Sequence, residues 1–157
     1  MKNFTSFLCM AMLVWSSYSY VGYGIVGPFT TNAFPCLADS GLGNSIFYSI
    51  IRVYQNSQSP SGIDQNALQT LTNSFVAEYA SDIYVEICRG INATSQINLV
   101  NDQIITPLLT NPEANFGSIL YIKVEPSINP DCSWEGYNPS DNCNYLKEAT
   151  MAVLNLG

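Results

Sequence analysis

The chain contains no histidine. That excludes Ser-His-Asp and Cys-His nucleophile systems, two-histidine zinc motifs and any imidazole pH switch. Acid-base chemistry therefore falls to carboxylates. Asp82, Glu86 and Glu125 stand in apolar, β-branched runs that also carry Arg52 and Lys123 and the tyrosines Tyr54, Tyr84 and Tyr121. Side chains alternate along a strand with period two. Arg52 and Tyr54 should therefore share a face of one strand, Asp82, Tyr84 and Glu86 a face of the next, and Tyr121, Lys123 and Glu125 a face of a third. If the three faces point the same way, Glu86, Glu125, Lys123, Arg52 and several tyrosines meet at the mouth of the sheet. Two chemistries fit such a cluster. Charges in apolar strands are costly unless paired, so Arg52 and Lys123 can serve simply to neutralise Glu86 and Glu125. Alternatively, the carboxyl pair does acid-base work on a polar substrate, with tyrosines as flat hydrogen-bonding walls suited to sugar rings.

An alternation of short strands and longer helices must position these groups. Strands are predicted over residues 23–26, ended by Gly27 and Pro28, over 46–54, over 82–87 and over 118–125. The nearly continuous apolar runs read as strands of a parallel sheet covered on both faces. A short helix over 30–40, ended by Gly41 and Gly43, follows the first strand, and a turn-rich loop over 55–62 follows the second. Asp64 is a plausible N-cap for a helix whose apolar face carries Leu68, Leu71, Phe75 and Val76. A helix over 96–109 shows Ile97, Val100, Ile104, Ile105 and Leu108 on one face and should stop near Pro107 and Pro112. A long loop bearing Pro, Asn and Cys then leads to a closing helix over 144–156. Four β-then-α units in a row imply the α/β class, with parallel strands joined by right-handed crossovers. Functional groups in such sheets collect at the carboxyl ends of the strands.

Composition sets the outer limits. The 157 residues are 47% hydrophobic and only 11% charged, which suits one folded domain rather than a disordered chain. With 12 acidic residues against 5 scattered basic ones, no nucleic-acid partner is expected. Residues 1–19 read as a secretory signal peptide: Lys2, an apolar stretch over 4–15 too short to span a bilayer, then Ser17-Tyr18-Ser19 before the cut. The mature chain over 20–157 is then one domain, secreted to the cell exterior or to a lysosomal or phagosomal lumen, with no membrane attachment after cleavage. Cleavage removes Cys9 and leaves Cys36, Cys88, Cys132 and Cys143, an even set that favours disulfides in an oxidising compartment. The short loop between Cys132 and Cys143 favours that bridge, with Cys36 to Cys88 as its complement, although sequence alone leaves every pairing open. No CxxC pair occurs, so neither a metal nor another cofactor is expected. Asn92-Ala93-Thr94 is the one N-glycosylation sequon of the mature chain with an allowed middle residue.

The run 49–55, the segment 64–67, the strand 82–85 with Cys88 after it, and the strand 120–125 followed by Trp134 and Asn144 together resemble the eukaryotic branch of glycoside hydrolase family 25. These are lysozymes of the N-acetylmuramidase type. Residues 22–37, with Pro28, Phe34, Cys36 and Leu37, also look like that family's first strand and helix. The resemblance implies a TIM-type (β/α) barrel with its cleft at the strand ends, peptidoglycan as substrate, and an Asp-x-Glu pair on the fourth strand. The Glu of that pair, a general acid, falls on Glu125. The Asp position is Lys123, and the acidic position near the first strand falls on Gly24. An ammonium beside Glu125 favours its ionised form, whereas a general acid must hold a proton. Glu86 is then the candidate partner of Glu125, with Asp82 deeper on the same strand, while Arg52, Tyr54, Tyr84, Tyr121 and Lys123 are candidates for holding the polysaccharide. A catalytically inactive glycan binder and a structural secreted protein are the alternatives. A complete barrel needs about 200 residues or more. Four units make a half or incomplete barrel with two open edges, which a homodimer would close.

Overall fold

The computed structural model describes residues 22–38, 48–56, 62–111 and 116–156. The targeting segment, Gly41 and Gly43, the start of the second strand at 46–47 and residues 57–61 of the turn-rich loop lie outside the described residues, as do the side chain of Cys36 and Pro112. The elements are β1 (Gly22–Ile25), α1 (Ala33–Ala38), β2 (Tyr48–Gln55), β3 (Gly62–Ile63), α2 (Ala67–Val76) and β4 (Ala80–Glu86). They are followed by α3 (Ala93–Val100), a π-helical turn (Asn101–Ile105), α4 (Thr106–Thr110), β5 (Leu120–Lys123), a 3-10 turn (Pro130–Cys132) and α5 (Pro139–Leu154). Strands β1, β2, β4 and β5 lie side by side in that order, every pair parallel. The molecule is thus a mixed α/β fold whose parallel strands alternate with helices, in keeping with an incomplete barrel. The short β3 was not foreseen. It falls at the end of the predicted loop and pairs antiparallel with the end of β2, Tyr54 opposite Ile63.

The two faces of the sheet differ in chemistry. Ile25, Ile51, Ile83 and Val85 form the core with Phe34, Leu71 and the stripe Ile97, Val100, Ile104, Ile105 and Leu108, all buried. That stripe is the one expected from spacings of three and four. Its helix, however, starts at Ala93 and runs without a break past Pro107. Proline lacks the N–H for an ordinary helical bond and crowds the preceding turn, and the π turn just before it widens the helix where that conflict arises.

Three helix expectations need correction. The buried face of α2 is Ala67, Thr70, Leu71 and Ser74, while Leu68, Phe75 and Val76 are exposed. Small side chains let the helix approach the sheet closely: Ser81 Oγ donates to Ser74 Oγ at 2.8 Å and lies 2.6 Å from Ser49 Oγ, a buried chain of hydroxyls from β2 to α2. Asp64 does not cap α2 directly. The helix begins after Asn66, whose N–H donates to Asp64 Oδ1 at 3.1 Å, because the other carboxylate oxygen is engaged by Arg52. The last helix also starts earlier than expected, at Pro139, with Asn138 Oδ1 accepting the Asp141 N–H at 2.9 Å.

The disulfide joins Cys88, just beyond β4, to Cys132 in the 3-10 turn, and Cys143 is a free, exposed thiol. The expected pairs Cys132–Cys143 and Cys36–Cys88 are therefore both incorrect. The reason is spatial. Parallel pairing of β4 with β5 brings their carboxyl ends together, whereas Pro139 opens a helix that carries Cys143 outward. Among the described residues, no helix is long and apolar enough to cross a membrane.

Candidate functional site

The second sheet face is polar. Register places Arg52 beside Tyr84, Tyr84 beside Tyr121, and Glu86 beside Lys123, so these side chains emerge on one side. At the carboxyl end they form a chain of alternating charges. Arg52 donates to Asp64 Oδ2 from Nη2 at 2.9 Å and from Nε at 3.1 Å, and to Gln55 Oε1 at 3.1 Å. Its Nη1 lies 3.6 Å from Glu86 Oε2. Lys123 Nζ lies 3.3 Å from Glu86 Oε1 and 2.8 Å from Glu125 Oε2. Each cation thus sits between two carboxylates. The inner members are sequestered, with Asp64 and Glu86 buried and the Arg52 side chain 11% exposed, while Lys123 and Glu125 reach solvent. The arrangement carries the neutralising pairs expected from the sequence and adds Asp64 to them.

The titration behaviour follows from these contacts. Lys123 is held above its ordinary value, first by its bond to Glu125 and then by the charges of Glu86 and Glu125, against the opposing effect of burial. Tyr84 is also raised, by burial and then by Glu86, and the Lys123 ammonium lies 5.5 Å from its ring centre.

The remaining candidates are distributed differently. Between Arg52 and Tyr54 the register slips by one residue, placing Tyr54 beside Val85. This bulge turns Tyr54 into the apolar core, 2% exposed, so it does not share a face with Arg52 and cannot wall a cleft. Asp82 is on the polar face but near the amino end of β4, roughly 13 Å from Glu86 at ~3.3 Å per residue. Its Oδ1 accepts the Ile119 N–H at 3.2 Å, and burial raises its pKa above the ordinary carboxylate value. Tyr121 is exposed on the polar face. Gly24, in register with Ile50, is exposed and has open space where a side chain would stand.

Beyond the end of β5 the chain folds into a cleft of about 580 Å³ whose lining includes Glu125, Pro126, Ile128, Pro130, Trp134 and Glu135. Glu125 thus borders both the charge chain and the cleft. The disulfide anchors this loop, as does the backbone of Gly90, where an added Cβ would collide with the Asp131 carbonyl oxygen. Arg89 lies against the rings of Tyr137 and Tyr145, 3.9 and 4.5 Å from their centres, and its Nε donates to Asn142 Oδ1 at 2.9 Å. Tyr145 Oη accepts from Gln96 Nε2 at 2.6 Å and sits against the carbonyls of Cys88 and Ile91. Glu135 was not singled out in the sequence, and no local pattern marks it. Trp134 was legible only as part of a resemblance. Among the described residues, no group of three or more metal-ligating side chains is present.

A family model described as lysozyme-like protein 1 matches residues 16–157. The chain belongs to this lysozyme-like family. No curated protein and no solved structure matches it. The lysozyme-like match covers every described strand and the cleft, and it does not distinguish among glycoside hydrolase families. Lysozyme-type chemistry calls for a carboxyl group that gives a proton and a second carboxylate nearby. In this lysozyme-like chain Glu86 and Glu125 touch one ammonium, so their facing oxygens lie at most roughly 6 Å apart.

Proposed function

We propose that this chain is a secreted lysozyme-like glycoside hydrolase of the family 25, N-acetylmuramidase type, acting on bacterial peptidoglycan in defence or digestion. The observation that carries the reading is the meeting of Glu86 and Glu125 on Lys123 beside the cleft. Glu125, at the rim, is the proton donor to the leaving glycosidic oxygen, and Glu86 is the second carboxylate. Trp134 and the prolines of the cleft give sugar rings apolar surfaces to lie on, while Tyr84, Tyr121 and Arg52 shape the polar face behind them. Asp82 stands too far down β4 to join that pair. Two copies facing each other would cover the open side of the sheet, and a solution mass of twice the monomer tests that arrangement.

One distance favours a second reading, glycan binding without turnover. Lys123 Nζ is 2.8 Å from Glu125 and occupies the position of the Asp in the motif that the sequence resembles. The ammonium holds the carboxylate oxygen that would have to reach the glycosidic oxygen, and a charge-assisted contact of this length is a strong one. Clearing of a peptidoglycan suspension by the purified mature protein, followed from acid to neutral pH, separates the readings. The hydrolase clears the suspension and loses that activity on Glu125→Gln and on Glu86→Gln. Sedimentation of the protein with the wall polymer, without clearing at any pH, selects the binding reading. Neither clearing nor sedimentation leaves a structural secreted protein.

A further inference from the structure

We propose that Asn92 is the acceptor of an N-linked oligosaccharide. Asn92 and Thr94 are the first and third residues of the sequon, and Asn92 is exposed at the start of α3 with φ −54° and ψ 129°. Its Oδ1 caps the helix, accepting from Ser95 N at 2.9 Å and from Ser95 Oγ at 3.1 Å. Its Nδ2 donates to Glu148 Oε1 at 3.1 Å, and the Thr94 hydroxyl donates to the same oxygen at 3.3 Å. A primary amide nitrogen carries two hydrogens, and Glu148 uses one of them.

In the transfer, Asn92 Nδ2 attacks the anomeric carbon of an oligosaccharide carried on a lipid diphosphate. A C–N bond forms, the bond from that carbon to the diphosphate oxygen breaks, the lipid diphosphate leaves, and one amide proton is lost to base. The product is a secondary amide that keeps Oδ1 and one N–H. The helix cap and a hydrogen bond to Glu148 therefore both remain available after modification, and the fold has no need to rearrange around the sugar. Asn138 provides the internal contrast. It too caps a helix and has Ser140 in the third position, but Pro139 fills the middle position as the first helical residue, which bars it as an acceptor. Asn92 lies beyond β4 in the connection that contains Gly90, whose backbone packs on Asp131. The sugar would therefore extend from the same end of the sheet as the cleft.

The inference rests on the secretory reading of residues 1–19. The full chain with its own N-terminus is expressed in a eukaryotic secreting host, and the protein from the medium is weighed before and after peptide N-glycosidase. The expected result is loss of the mass of one oligosaccharide, with Asn92 converted to aspartate in the digested peptide. Asn92→Ser retains a helix-capping oxygen and Thr94→Ala retains the asparagine cap. Both are expected to be secreted without sugar, whereas Thr94→Ser keeps it. Secreted wild-type protein with an unmodified Asn92 peptide overturns the inference and leaves the secretory reading standing. An unmodified chain retained inside the cell overturns both. The clearing and sedimentation assays on wall polymer are read independently of either result.

Discussion

Arg52 is the side chain whose removal should cost the fold most among the charged groups. It is the only cation in contact with Asp64 among the pairs described, through two hydrogen bonds from one guanidinium, and it also faces Glu86 Oε2, which has no hydrogen bond of its own. Arg52→Met would fill much of the same volume but leave two carboxylates, 5% and 3% exposed, without it. Glu86 would retain Lys123, whose side chain is 43% exposed and so screened by water. Breaking one side of a buried, hydrogen-bonded ion pair costs about 3–5 kcal/mol, whereas loss of a pair as exposed as Lys123–Glu125 costs about 1 kcal/mol or less. Urea unfolding followed by circular dichroism should therefore show a midpoint roughly 2 M lower for Arg52→Met at neutral pH, against a small shift for Glu125→Gln, which removes only the exposed Lys123–Glu125 pair. Arg52→Met/Asp64→Leu, which replaces the inner pair by apolar side chains, should recover much of the loss. An Arg52→Met protein as stable as wild type, or a double variant no more stable than Arg52→Met alone, would refute the buried-pair argument.

Other consequences can be measured in the same way. Burial raises the Asp82 pKa, so its charged form opposes folding above that value and stability should rise as pH falls through the window down to about the ordinary 3.8. Asp82→Asn keeps an acceptor for the Ile119 N–H and should abolish that rise, with lytic or binding activity unchanged. Tyr145 is pushed up to about 12, chiefly by burial, so one phenol should titrate late in absorbance and stability should decline between about pH 10 and 12, where only the unfolded chain ionises it. Tyr145→Phe should lower stability by about 1–3 kcal/mol, since it strips a shared partner from Gln96 and two backbone carbonyls. Cys88→Ser/Cys132→Ser opens a bridge spanning 44 residues and should cost about 2–4 kcal/mol in thermal unfolding. Gly90→Ala should loosen the same loop, read as faster proteolysis within residues 124–135, because its Cβ meets backbone rather than a movable side chain.

Much of this molecule was legible in the order of its residues. The alternation of β-branched runs with stripes at helical spacing determined the class, and period-two alternation was sufficient to put Arg52, Glu86 and Lys123 on one face. Both are local properties of a chain whose neighbouring strands then pair in order. Tertiary structure decided whatever depended on segments meeting. A single extra residue in β2 turned Tyr54 into the core, and pairing of β4 with β5 gave Cys88 to Cys132. The same pairing set Lys123 between Glu86 and Glu125, and the turn after β3 brought Asp64 to Arg52. The cleft around Trp134 and Glu135 exists only because that anchored loop folds back over the strand ends. Periodicity records which way a side chain points along its own strand or helix. Which groups share a few ångströms is set by register, bulges and crosslinks between distant stretches, and these have no periodic signature.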